Sequence, residues 1–141
     1  MMKNSKQKIQ FEFVLDYLYA CNPNVKPMFG CHGVYVGNKI VLILRNKKNN
    51  TQDNGVWMAT TLEHHKSLKK EFPNMRSISV LGPSVTGWQL LPMQTDDFES
   101  SVIKLCDYIL KGDARIGKIP VPKKTKKIKN ELSKRGNKPV K

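Results

Sequence analysis

The sequence predicts an α+β domain of two layers: a mostly antiparallel sheet of about five strands backed by helices, in the order α-β-β-β-α-β-β-α. Three observations predict it. Runs of β-branched residues flank Gly37-Asn38, a two-residue hairpin signal. Three other stretches carry apolar residues at helical spacing. Their order groups the strands between helices, the layout of a sheet with helices packed on it.

Each element has its own reason. Phe11, Val14, Leu15 and Leu18 recur at helical spacing, Cys21 falls near the same stripe, and Pro23 and Pro27 end this first helix. Val34-Tyr35-Val36 and Ile40 to Leu44 form the hairpin, because Gly37 supplies the positive φ of its turn. Arg45 to Gly55 is polar and loop-like, and Val56 to Ala59 reads as a third strand. Thr60 to Glu63 fits a capping box for a helix carrying Leu62, Leu68 and Phe72 and stopping at Pro73. Ser77 to Leu81 and Trp88 to Leu91 are short strands, parted by the turn-rich segment from Gly82 to Gly87. Thr95 or Asp96 opens the last helix, with Phe98, Val102, Leu105 and Ile109 as its stripe and Gly112 as its stop.

Charge divides the chain. Of 141 residues with a formal net charge of +14, the 24 from Lys118 to Lys141 hold ten basic side chains and one acid, Glu131. Residues 1–117 read as the folded domain and residues 118–141 as a basic tail, marked off by Pro120 and Pro122. The tail has no aromatic residue and too little apolar content to fold alone. Its Lys123, Lys124, Lys126, Lys127, Lys129, Lys134 and Arg135 are the candidate nucleic-acid contacts, since such cations displace counterions condensed on phosphates. The plainer reading of the same charge is a solubilising tail. Lacking aromatics, the tail offers bases nothing to stack on.

Three cysteines with no CxxC spacing argue against an extracellular disulfide framework. Glu12 and Asp16 interrupt the N-terminal apolar stretch, which argues against a signal peptide, and no stretch reaches the ~20 apolar residues of a membrane helix. The expectation is a cytoplasmic protein without a membrane partner.

The segment MFGCHGVYVG, from Met28 to Gly37, is the most suggestive motif. A phosphate-cradling loop would need Lys-Ser/Thr and a helix after its glycines, and Gly30 and Gly33 lead into a strand instead. The GxxG of an RNA-binding KH domain joins two helices, which these flanks are not. Gly30 and Gly33 therefore read as sheet architecture, relieving crowding or allowing a bulge. The available metal ligands are Cys21, Cys31, His32, His64, His65 and Cys106. They lack paired spacing, and adjacent Cys31 and His32 on a strand point to opposite faces. Asp96, Asp97 and Glu99 are the densest acidic cluster, and a helix N-terminus explains them. No catalytic, metal-binding or cofactor-binding residue is assigned, and no cofactor is implied.

The stretch from Lys26 to Leu44, with its basic residue, Met-Phe-Gly, further glycine and hairpin, resembles the opening of the TfoX/Sxy N-terminal domain family. The segment from Trp88 to Gly112 looks like that family's closing strand and helix. The resemblance covers Ile9 to Gly112 and implies a small α+β domain of the bacterial cytoplasm with a non-enzymatic role in transcription or competence regulation. The chain departs from the family's competence regulators by carrying a basic tail where they have a second, helical domain. Two other functions stand beside this one. The first is a protein-interaction or self-association module, a homodimer included, with Trp57 and Trp88 as candidate anchors. The second is a small-ligand binder or enzyme with a pocket between sheet and helices, lined by Cys31, His32 or the histidine pair.

Overall fold

A computed structural model describes residues 9–80 and 86–120. Six strands form one open antiparallel sheet: β1 (Asn24–Met28), β2 (Cys31–Val36), β3 (Lys39–Arg45), β4 (Gly55–Ala59), β5 (Arg76–Ser77) and β6 (Trp88–Pro92). Their order across the sheet is β1-β2-β3-β4-β6-β5. Among the described residues three α-helices accompany them: α1 (Phe13–Tyr17), α2 (His65–Glu71) and α3 (Phe98–Leu110).

Side-chain alternation divides the sheet into two faces. Val56 and Met58 of β4 point to one face, Trp57 and Ala59 to the other. All three helices pack on the first face. Val14 of α1, Leu68 of α2, and Val102, Leu105 and Cys106 of α3 join Leu42, Leu44 and Leu91 in one core. Each fully buried leucine there contributes about 2 kcal/mol. The apolar cluster on the opposite face, which includes Ile40, Ile43 and Leu90, contains no α-helical residue among the described residues.

Two tight turns order the first three strands. Val36 pairs with Lys39 across the expected Gly37-Asn38 turn, and Gly37 has φ +62°. Met28 pairs with Cys31 across Phe29-Gly30, where φ is +51° and +78°. Two successive positive φ values are the type I′ pattern, whose twist matches a hairpin. Between β2 and β3 the register shifts at Val34/Tyr35, so Val41 is extra and both Val41 and Leu42 reach the helix-covered face.

Several elements differ from the sequence expectation. A sixth strand exists, β1, in a segment where Pro23 and Pro27 read as helix stops. Pro27 is tolerated because β1 is an edge strand. The first helix is correspondingly short, continuing as a 3-10 turn over Tyr19–Cys21 and ending at Asn22 in the left-handed region. No capping box forms at Thr60: its hydroxyl donates instead to the Arg115 carbonyl at 2.6 Å, tying β4 to the chain beyond α3. A 3-10 turn, Leu62–His64, precedes α2 and leaves Leu62 exposed. The expected strand from Ser77 to Leu81 is the two-residue β5, and Leu81 lies outside the described residues.

The last helix carries the expected apolar stripe, but its N-cap is Asp97, which makes no side-chain cap hydrogen bond, rather than Thr95 or Asp96. Its stop is a Schellman motif, with Gly112 N–H donating to Ile109 and Asp113 N–H to Tyr108. The chain then returns to the sheet. Lys118 and Ile40 exchange backbone hydrogen bonds at 2.9 Å, an isolated bridge at the start of β3.

Candidate functional site

The face of the sheet away from the described helices holds a cavity of about 370 Å³. Its walls are mostly apolar: Met28 and Cys31 from the first hairpin, Ile40 and Ile43 from β3, and Trp57 and Trp88 from β4 and β6. The two indoles meet with ring centroids 6.1 Å apart. Phe29, at the tip of the β1–β2 turn, stands at the cavity's edge and is 87% exposed.

Polar groups gather at one side, where β3 runs into the loop after it. Arg45 is buried, and its guanidinium donates to the carbonyls of Asn49 and Asn50 and to Asn54 Oδ1. It is spent on shaping that loop. Lys47 reaches across to the first hairpin, where its ammonium donates to the Phe29 carbonyl at 3.2 Å. Both cations pull the Cys31 thiol toward ionisation, but burial is the larger effect and leaves its pKa raised. Neither a histidine nor a carboxylate lines the cavity among the described residues.

Asp53 braces the site from behind. Its backbone carbonyl accepts from Trp57 Nε1 at 2.9 Å. Its buried carboxylate accepts from the amides of Ser79 and Val80, and Val80 is a cavity wall. Burial raises the pKa of this carboxylate, and the hydrogen bonds from Ser79, Val80 and Arg76 together outweigh that and hold it below the usual range.

The candidate residues read from the sequence scatter across the fold. Cys31 and His32 do face opposite ways. Cys31 lines the cavity, and His32 bonds Gln10 at 2.9 Å through Nδ1, beside its strand partner Leu44 in the helix-side core. His64 sits 3.4 Å from Glu63, while His65 keeps a buried Nε2 without a partner among the described residues. Cys106 is buried in the core, and desolvation pushes its thiol up to about 12. Asp97 precedes α3 and accepts from Asn74 at 2.9 Å. No group of three or more metal-ligating side chains occurs among the described residues. Gly33 is sheet architecture: a Cβ there would press on Met28 Sδ at 3.2 Å and Ile40 Cδ1 at 3.4 Å. The tail residues Lys123, Lys124, Lys126, Lys127, Lys129, Lys134 and Arg135 lie outside the described residues. Trp57 and Trp88, the candidate anchors, both line the cavity.

Sequence reasoning missed Phe29 and Lys47, and it placed a pocket between sheet and helices, whereas the cavity that Cys31 lines is on the opposite face. A signal existed in Phe29-Gly30, a hairpin turn with phenylalanine where asparagine or aspartate is the usual occupant.

The fold and site together define an α+β protein with an open six-stranded sheet, helices on one face and an apolar recess on the other. Compared with protein-family models, curated proteins and solved structures, the chain finds no match. Among the described residues no helix is long and apolar enough to cross a membrane.

Proposed function

We propose that the protein is a non-enzymatic, cytoplasmic binding module of the TfoX N-terminal type, and that it binds through the face of its sheet opposite the described helices. The observation that carries this reading is the cavity of about 370 Å³ between the two tryptophans and β3. A recess with apolar walls and polar groups on one side is the common form of a binding site. The binding role is further supported by what stands beside Cys31. With no histidine or carboxylate in the lining among the described residues and a raised pKa, this thiol has no described partner of the kind a nucleophile needs.

The test uses Nile red, a neutral apolar dye. Saturable, blue-shifted emission is expected with the full chain. Val80→Phe fills the cavity from its rim and leaves the backbone bond to Asp53 in place, so it is expected to weaken binding about tenfold at unchanged Tm. Emission that does not saturate, or that is indifferent to Val80→Phe, overturns the reading.

A second function rests on the charge of residues 118–141. Ten cations against one acid support non-specific affinity for nucleic acid, in line with the regulatory role the family resemblance implies. The two functions are compatible, since the cavity and the basic segment belong to different parts of the chain.

A further inference from the structure

The cavity is apolar in its walls but not in its charge. Lys47 and Arg45 stand at one end, and no acid among the described residues lines any part of it. Arg45 is buried and commits three of its five donors to Asn49, Asn50 and Asn54. Lys47 differs. Its ammonium has one contact, the Phe29 carbonyl, among the hydrogen bonds of the described residues, and an ammonium has three N–H donors. It forms no ion pair with any described carboxylate. A cation at the mouth of an apolar recess makes a site for a molecule with an apolar body and one negative head.

Phe29 supplies a second, independent observation. It takes φ +51° and is 87% exposed, so it holds a strained conformation without burying its ring. An aromatic residue in the left-handed region costs on the order of 1 kcal/mol, and Asn-Gly would make this turn without that cost. A costly conformation that exposes an aromatic ring at a cavity edge points to something the ring covers.

Resting on the binding-face reading above, we propose that the cavity binds a small amphipathic monoanion, a carboxylate on a short aliphatic or aromatic body, with Lys47 pairing the head and Phe29 closing over the body. Charge complementarity selects the anion, and the cavity's volume limits the body to a small molecule rather than a macromolecular segment.

The experiment compares octanoate with octanol by quenching of tryptophan emission in the full chain, since Trp57 and Trp88 are its only indoles and both line the cavity. Octanoate is expected to bind about tenfold more tightly than octanol, the preference shrinking as salt rises. Lys47→Met keeps the aliphatic stem and should erase the preference. Phe29→Asn should raise Tm, by relieving the turn, while weakening both ligands severalfold, a combination that a merely structural phenylalanine would not give. Equal binding of octanoate and octanol by the wild type overturns the anion assignment and leaves the binding face standing. A preference that persists in Lys47→Met overturns the role of Lys47. Saturable Nile red binding without any response to octanoate or octanol refutes this ligand class alone, whereas failure of all three refutes the binding face as well.

Discussion

The Asp53 carboxylate holds Ser79 twice, accepting from its amide at 2.9 Å and from its hydroxyl at 3.0 Å. It also accepts from the Val80 amide at 2.8 Å and faces Arg76 at 3.4 Å. One buried side chain thus clasps a segment 26 residues away, while its own backbone carbonyl fixes Trp57. Two residues of the cavity lining, Trp57 and Val80, are held by it. Asp53→Ala strands two amides and is expected to cost about 2–3 kcal/mol, read as a lower urea midpoint. A loss under half that amount would show that water replaces the carboxylate without penalty.

The same residue sets part of the acid response. Its pKa lies below the ordinary 3.8, because hydrogen bonds overcome the opposing effect of burial. The folded state therefore binds this proton less tightly than the unfolded state. The resulting stability is complete above the unfolded value and is lost as pH falls through the lower folded one. Glu71, bonded by the Tyr108 hydroxyl, Asp97, bonded by Asn74, and Asp113, bonded by Arg115, shift in the same direction and steepen this limb. Below about pH 4 the wild type should lose stability more steeply than Asp53→Asn. Parallel urea midpoints for the two proteins across that range would remove Asp53 from the acid response.

What the sequence shows of this fold follows from where the physics is local. The Gly37-Asn38 turn and the Phe98–Ile109 stripe are readable because the turn residue and the helical period act over a few positions. Strand β1 is not readable in that way. Asn24–Met28 carries Pro27 and only one β-branched residue, and its pairing with β2 is decided by the edge position. The Thr60 capping box matches as a string, yet a carbonyl 55 residues away claims the hydroxyl. The cavity is hidden for a different reason. Ile40, Ile43 and Trp57 look like core in any pattern, and only the placement of all three helices on the other face leaves them lining a recess.

Among the described glycines, Gly55 is the position where backbone approach is least forgiving. It has φ +146° and pairs with Pro92, and a Cβ there would overlap the Leu91 carbonyl oxygen and lie 2.9 Å from Met93 N. Both are backbone atoms of the neighbouring strand and the residue after it, so relief requires opening the β4–β6 pairing. Gly55→Ala is expected to cost about 3 kcal/mol, against nearly nothing for Gly37→Asn, whose turn has open space around it. Thermal melts of the two variants side by side decide this, and equal Tm values would contradict it.

The basic segment makes the last prediction, and the fold dictates how to test it. Lys118 is bonded to Ile40 within the sheet, and Gly117 N–H donates to the Ala59 carbonyl at 2.7 Å. A truncation ending before Lys118 would break the bridge and confuse folding with binding. Ending the chain at Pro120 keeps both contacts and removes nine of the ten cations beyond residue 117. If about six of those cations engage phosphates, affinity for duplex DNA falls with a log–log salt slope near −5. The truncated chain should lose most of that slope and most of its affinity while keeping the Tm of the full chain. Fluorescence anisotropy with labelled duplex DNA, single-stranded DNA and structured RNA measures all three slopes. Similar slopes for the full and truncated chains would move the phosphate contacts onto the folded domain. No binding by either near physiological salt would reduce the segment's charge to a solubilising role.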